Sequence, residues 1–172
     1  MVIEKYSKLS EEWRIGKRAS LLYDKEGLGK KSIEKSKSLT FKIEDHLDEV
    51  RNVALELPSF CFLIAGYIKR GEYITTIDFI AWIRRKLLRI SGFLLGIRDE
   101  GTRRAEQRFP EELIEYYNRC RVKKNDEIWG CLMVFLEWFS QWLVPKFEDK
   151  NIIHANQEVP VIKSAIEKLK KL

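Results

Sequence analysis

The chain has 172 residues, of which 45% are hydrophobic and 34% are charged. This length and composition exclude a disordered protein and predict about one domain with a real core. The 32 Lys and Arg residues against 26 Asp and Glu give a net charge of +6, which favours anionic partners only weakly, because most of these charges are expected to lie on a solvated surface.

The cysteines and histidines give no pattern of a metal site or a disulfide framework. Cys61, Cys120 and Cys131 have no C-x-x-C spacing, and His46 and His154 are far apart in the chain. We therefore predict no metal, no cofactor and no disulfide, which favours a reducing cytoplasm.

No segment has the pattern of a membrane span or an export signal. The longest apolar run covers residues 60–65, far short of the roughly 20 residues that a spanning helix needs. The first residues, "MVIEKYSK", contain no apolar signal region. We expect a cytoplasmic protein without a membrane partner.

The first predicted element is a short strand at residues 19–23, which ends in "DKEGLGKKS". This glycine-lysine run is not a P-loop, because Asp24 stands where the first glycine is required and Lys31 stands where Ser or Thr is required. We interpret it as a turn. Nothing downstream alternates with period two over a useful length, so we expect the strand edge to pair with another chain, most simply in a homodimer.

From residue 40 onward the apolar residues follow helical periodicity. The first stripe covers residues 40–70 and is interrupted by Pro58, where we expect a kink or a break near Leu57. Gly71 is predicted to end this helix as a C-cap residue. Further helices are predicted at residues 75–95, from Pro110 onward, at residues 126–142, and at residues 159–172 as a short basic helix.

The predicted fold class is therefore all-α: a bundle of four to five helices with a short N-terminal strand-like segment. We divide the chain into an N-terminal arm at residues 1–38, a helical bundle domain at residues 39–149, and a basic C-terminal helix at residues 150–172.

One stripe of the second predicted helix is a candidate binding surface. Trp82, Arg85, Arg89, Gly92 and Gly96 follow at i, i+3, i+7, i+10 and i+14, which places them on one face. A flat aromatic ring, two guanidinium groups and two bare backbone positions can line a groove that takes a phosphate or a polyhydroxylated ligand. In the alternative interpretation Trp82 is half-buried and the arginines only shield it.

Other aromatic and acidic residues have simpler interpretations. Trp129, Trp138 and Trp142 are predicted to belong to the core, because their helix is apolar over much of its circumference. The carboxylate clusters at residues 45–49 and 99–100 are predicted to be solvated faces with local ion pairs rather than metal sites.

Four segments together resemble the C-terminal part of lincosamide and aminoglycoside nucleotidyltransferases. They are "LLYDKEGLGKKSIEKS", "FLIAGYIKRGEYITTIDFIAWIRRKLLRISGFLLGI", "RRAEQRFPEELIEYYNRC" and "DEIWGCLMVFLEWFSQWLVPKF". The resemblance covers residues 13–147 and rests on element order and on short anchors such as "KRGEY" and "FPEEL". In that family a strand with an "LYDKDG"-like turn finishes the catalytic α/β domain, and a helical bundle forms the other wall of the antibiotic cleft.

The resemblance implies a binding domain that is not catalytic alone. The family's catalytic motif is a Gly-Ser pair followed by Asp-x-Asp, whose carboxylates hold divalent metals, and this chain contains neither. A separate nucleotidyltransferase catalytic domain would supply the chemistry, or the chain is a truncated enzyme. The implied ligand is a nucleotide or an aminoglycoside- or lincosamide-like molecule. The family also places a phosphate-binding basic residue ahead of the third helix, a position for which the alternatives are Arg98, Arg103, Arg104 and Arg108.

The function predicted from the sequence is thus that of a non-catalytic helical substrate-binding domain related to antibiotic-resistance enzymes. The first alternative is a protein-interaction adaptor, for example beside a minimal nucleotidyltransferase, although the R-x4-H nuclease signature of helical toxin partners is absent. The second is a nucleic-acid-binding protein that uses "RRKLLR" and "RCRVKK". We rank nucleic acid last among the partners.

Overall fold

A computed structural model of the chain describes Lys25 and residues 27–38, 41–99, 101–122 and 124–172. The predicted strand at residues 19–23 lies outside them. By contacts the chain divides into two compact units, Met1–Lys42 and Ile43–Leu172. In the first unit, Gly27 has a φ of 70°, as a turn requires. Helix α1 (Leu28–Ser38) then begins within the glycine-lysine run, where the sequence analysis predicted only a turn.

The second unit is a helical bundle. A 3-10 turn at Ile43–His46 leads into its helices, which are α2 (Leu47–Lys69), α3 (Tyr73–Leu94), α4 (Ala105–Arg108), α5 (Glu111–Arg119), α6 (Ile128–Asp149) and α7 (Val159–Lys171). α2 packs against α3, α6 and α7. The residues that the structure describes form helices and no strand, which confirms the predicted all-α bundle.

The first two helices of this unit, α2 and α3, end in the same way. Gly71 has a φ of 75° after α2, as predicted, and Gly96 has a φ of 71° after α3. After α2, the N–H of Glu72 donates to the carbonyl of Tyr67, and the N–H of Gly71 donates to that of Ile68, both at 3.0 Å. This is a Schellman motif, which satisfies the last carbonyls of a helix and reverses the chain. It turns α2 back into α3.

Of the kink or break expected near Leu57, the break is absent: α2 is continuous from Leu47 to Lys69 with Pro58 inside it. A proline leaves the carbonyl of residue i−4 without its helical donor, and here that carbonyl belongs to Ala54. The backbone N–H of Ala155 donates to the Ala54 carbonyl at 2.9 Å instead. The proline thereby provides the acceptor that holds the segment before α7 against α2.

α6 is the core helix of the bundle. It was predicted to end near residue 142 but extends to Asp149. A π-helical segment (Trp138–Leu143) directly precedes the turn that contains Pro145, whose missing N–H leaves one hydrogen bond of the helix unmade. Trp138 and Trp142 are buried, as predicted, whereas Trp129 is only half-buried.

By length and composition α6 is also apolar enough to cross a membrane, and it is the one such helix within the described ranges. Of its most apolar window, 61% is buried inside the fold. Burial of this extent is typical of a central helix in a globular bundle.

α7 packs against α2 and α6 through a face that includes Val159 and Ile166. The C-terminal helix, which the sequence analysis set apart as residues 150–172, belongs to the same compact unit as residues 43–149. Its lysines at positions 168, 170 and 171 lie in the last turn, where they interact favourably with the helix dipole.

Candidate ligand-binding cleft

An open cleft of about 280 Å³ lies where the C-terminal half of α3 meets the start of α2 and the loop that follows α3. It is lined by Glu49 from α2, by Trp82, Arg85, Lys86, Leu88 and Arg89 from α3, and by Asp99, Gly101 and Thr102 from the loop. The cleft therefore brings together Trp82, Arg85 and Arg89, the three side chains that the helical spacing predicted on one surface.

The amphipathic pattern of α3 explains why these side chains reach the cleft. Ile80, Ile83, Leu87 and Ile90 are buried along one side of the helix, so residues at i, i+3, i+4 and i+7 from Trp82 are left at the open side. Trp82 is 43% exposed. A tryptophan in this position presents part of its ring to a ligand while the rest packs against the bundle.

A chain of ion pairs crosses the floor of the cleft. Glu49 accepts from Lys86 Nζ at 2.9 Å through one carboxylate oxygen and from Arg89 Nη2 at 3.1 Å through the other. Arg89 Nη1 lies 3.3 Å from Asp99 Oδ2, and Asp99 Oδ1 accepts the backbone N–H of Gly101 at 2.8 Å. These side chains are all partly buried, so their mutual attraction is less screened than that of surface pairs. The network fixes α2, α3 and the loop together.

Arg85 and Trp82 are the exposed side chains that α3 contributes to the cleft. Arg85 is exposed, and it forms no ion pair with any residue in the described part of the chain. Lys86 Nζ, rather than an arginine, lies over the Trp82 ring, 5.7 Å from its centroid. Arg89 lies over the ring of Phe93 instead, at 5.2 Å. The arginines therefore do not shield Trp82.

The two glycines of the predicted stripe do not line the cleft. A Cβ atom at Gly92 would lie 3.2 Å from two ring carbons of Phe109, so this glycine allows a helix-to-ring contact inside the fold. Gly96 takes the positive φ of the turn after α3. Their role is packing and chain reversal rather than backbone access for a ligand.

The four arginines proposed for phosphate lie in or beside the loop after α3, and none of them lines the cleft. Arg108 donates to the backbone carbonyls of Arg98 at 3.1 Å, Gly101 at 2.8 Å and Arg103 at 2.8 Å. Its guanidinium is thus committed to holding the loop that carries Asp99 and Thr102. Arg103 and Arg104 are exposed, and Arg98 is half-buried.

A second cavity, an apolar groove of about 180 Å³, adjoins the cleft along the seam between α2 and α3. It is lined by Asn52, Val53, Glu56, Leu57 and Phe60 from α2 and by Trp82, Ile83, Lys86 and Leu87 from α3. Trp82 and Lys86 line both cavities. Phe60 packs against Trp82 in a tilted arrangement with 5.8 Å between ring centroids.

The sequence analysis missed Glu49, Lys86 and Asp99 as members of the site. It treated the two carboxylates as solvated faces, yet both bind Arg89. The contact of Glu49 and Asp99 with Arg89 joins distant parts of the chain, and no local sequence pattern indicates it. Lys86 could have been predicted, because its i+4 spacing from Trp82 places both residues on one face of α3. Within the described ranges, no group of three or more His, Cys, Asp or Glu side chains is placed to hold a metal ion.

The cysteines offer no activated nucleophile to this site. Cys61, Cys120 and Cys131 are free and buried, and burial raises the pKa of the Cys131 thiol to about 11 and that of Cys61 further. Thiols in such surroundings stay protonated and unreactive at neutral pH. The chemistry that the cleft offers is binding through a ring face and cations.

Comparison with known proteins adds no family. Neither a protein-family model, nor a curated protein, nor a solved structure matches this chain.

Proposed function

We propose that the chain is a helical ligand-binding domain whose site is the cleft beside Trp82. It acts in the cytoplasm as the substrate-binding counterpart of a separate nucleotidyltransferase-like catalytic domain, as the resemblance to antibiotic nucleotidyltransferases implies. The observation that carries the proposal is the exposed face of Trp82 next to Arg85, a cation with no ion-pair partner in the described part of the chain.

The charges of the cleft support an anionic ligand. Its three cations, Arg85, Lys86 and Arg89, face two carboxylates, Glu49 and Asp99, and both carboxylates are already bound by Lys86 or Arg89. A polycationic amino sugar would have to displace these pairs, whereas a phosphate meets Arg85 directly. Charge-assisted contacts of this kind are the strongest hydrogen bonds available to a protein site. A nucleotide is therefore favoured over an aminoglycoside.

The test is a calorimetric titration with ATP in the absence of metal. We expect Arg85→Ala to weaken ATP binding by about tenfold, the loss that one hydrogen bond to a charged group produces. Arg51→Ala is the matched control, because Arg51 is an exposed arginine of α2 outside the cleft and pairs only with Asp48 in the described structure. Equal losses in both variants, or no binding of ATP by the wild type, would contradict the proposal.

A protein-interaction role is the second candidate. Large apolar side chains are exposed on α2 and α3: Leu55, Phe62, Leu63, Tyr73, Ile74 and Ile77. Exposed apolar residues in this number on neighbouring helices are typical of a surface that another protein covers, either a second copy of the chain or the catalytic domain. Sedimentation of the wild type and of an Ile74→Lys, Ile77→Lys double variant tests the homodimer: a wild-type dimer that dissociates in the variant supports it, and a wild-type monomer excludes it.

A further inference from the structure

We infer that the ligand of the cleft is amphipathic, with an anionic group in the cleft and a flat apolar group in the adjoining groove between α2 and α3. The inference rests on the proposed function, because it takes the cleft as the anion site. It adds a second subsite and the chemical class of the ligand.

The two cavities lie side by side along the same stretch of α3. Trp82 and Lys86 line both of them. By helical geometry, Arg85 and Arg89 follow on the cleft side of these two residues, and Ile83 and Leu87 follow on the groove side. A ligand that contacts Trp82 from the cleft therefore has the groove directly beside it.

The groove suits an apolar ring. Val53 and Leu57 retain a small exposed surface, 7% and 5%, and provide aliphatic contacts at its base, while the Phe60 and Trp82 rings, 5.8 Å apart, provide the larger aromatic ones. Its volume of about 180 Å³ is comparable to the roughly 150 Å³ of an apolar cavity that holds a benzene molecule. One aromatic ring fits the groove, whereas a larger ring system would project into solvent.

The charges fix the orientation of such a ligand. Arg85 and Arg89 lie at the cleft, Lys86 lies at the junction, and the groove has the carboxylate of Glu56 at its margin. The cleft has three cations and two carboxylates, whereas the groove has one of each, Lys86 and Glu56. An anionic group is therefore favoured in the cleft, and the ring is favoured in the groove. The shared Lys86 stands between them and pairs with Glu49 on the cleft side.

The experiment compares inorganic phosphate with phenyl phosphate, which differ by one aromatic ring. We expect the wild type to bind phenyl phosphate about tenfold more tightly, a modest gain for an apolar ring that leaves water. Asn52→Phe places a ring at the groove and is expected to remove that gain while the affinity for inorganic phosphate stays unchanged. Leu55→Phe is the control, because Leu55 is an exposed residue of the same helix that lines neither cavity.

The outcomes separate this inference from the proposed function. Equal affinity for the two probes, or a gain that survives Asn52→Phe, overturns the inference and leaves the anion site intact. If neither probe binds, or if binding of inorganic phosphate does not depend on Arg85, the proposed function fails and the inference fails with it. A gain that is lost in Asn52→Phe but kept in Leu55→Phe supports both.

Discussion

Two tryptophans of this chain, Trp82 in α3 and Trp138 in α6, lie in opposite environments. Trp82 is 43% exposed, between a charged cleft and an apolar groove. Trp138 is fully buried and stacks on Tyr116 with 5.7 Å between ring centroids. The helices explain the difference: α3 buries one side, whereas α6 buries residues around much of its circumference. The bundle thus keeps its most buried region apart from the cleft that is proposed to bind a ligand.

The two regions also differ in what holds their side chains. At the cleft, Glu49, Arg89 and Asp99 form a connected, partly buried network of ion pairs. At α6, Trp138 is held by apolar packing and has no solvent exposure. Each region contains one buried side-chain N–H without a hydrogen-bond partner in the described structure, Arg89 Nε at the cleft and Trp138 Nε1 in the core. Because truncation of a fully buried ring leaves a cavity, substitutions in the α6 core should change stability, whereas substitutions at the cleft should change ligand affinity.

The largest expected effect is that of Trp138→Ala. Removing a fully buried tryptophan creates a cavity and should lower the free energy of unfolding by about 3–5 kcal/mol. Trp82→Ala should lower it by less, about 1–2 kcal/mol, since only part of the Trp82 ring packs against the bundle. Urea unfolding followed by circular dichroism measures both. If the two variants lose similar stability, the separation of core and cleft is wrong.

An intermediate effect is expected for Arg108→Met, which keeps an apolar side chain beside Phe109 but removes the three hydrogen bonds to the loop. We expect the free energy of unfolding to fall by about 1–2 kcal/mol, because hydrogen bonds of a charged group stabilise the fold less when they are partly exposed than when they are buried. The loop carrying Asp99 should loosen, so phosphate affinity should fall as well. Arg103→Met is the control, because Arg103 is exposed. Amide hydrogen exchange measures how strongly the loop after α3 is protected. Equal protection of this loop in the two variants would contradict a structural role for Arg108.

The smallest expected effect concerns the ion pair between α5 and α6. Two hydrogen bonds from Arg119, at 2.8 and 2.6 Å, hold the pKa of Glu137 below its ordinary value of 4.5. A lowered folded pKa stabilises the fold above the unfolded value, and this contribution is lost as the pH falls through the folded pKa. Glu137→Gln should therefore cost about 0.5 kcal/mol at pH 7, a small value because Arg119 is partly exposed.

The pH dependence checks that assignment. In urea unfolding at pH 7 and at about pH 3, the difference in stability between the wild type and Glu137→Gln should shrink at the lower pH, since the contribution of a lowered folded pKa declines once the unfolded-state carboxylate is protonated. Cleft binding at pH 7 should be the same in both proteins. A stability difference that stays constant with pH would mean that the side-chain amide disturbs packing instead.

Local patterns predicted the parts of this molecule that local physics determines. The periodicity of α3 predicted that Trp82, Arg85 and Arg89 lie on one surface, as they do. Gly71 was predicted to end α2, and it has the positive φ that a glycine adopts at a helix C-terminus. Both depend only on neighbouring residues.

The errors came from contacts between distant residues. A break of α2 at Pro58 was one of the two expected outcomes and is absent, and the N–H of Ala155 binds the carbonyl that the proline leaves without a donor. Glu49 and Asp99 were read as separate surface residues, and Arg89 joins them. In each case the partner is set by tertiary packing, which single-sequence spacing does not contain.

The most direct test of the central claim is the shift of the tryptophan indole N–H signals during a titration with phenyl phosphate. The chain has five tryptophans, and Trp82→Phe and Trp138→Phe assign the two signals that matter. The account predicts that the chemical shift of the Trp82 signal changes and reaches a plateau as phenyl phosphate is added, while the Trp138 signal does not shift. In Arg85→Ala, a higher concentration of phenyl phosphate should be needed for the same change of the Trp82 signal. A Trp82 signal that does not move, or equal movement of both signals, would contradict a binding site at the cleft.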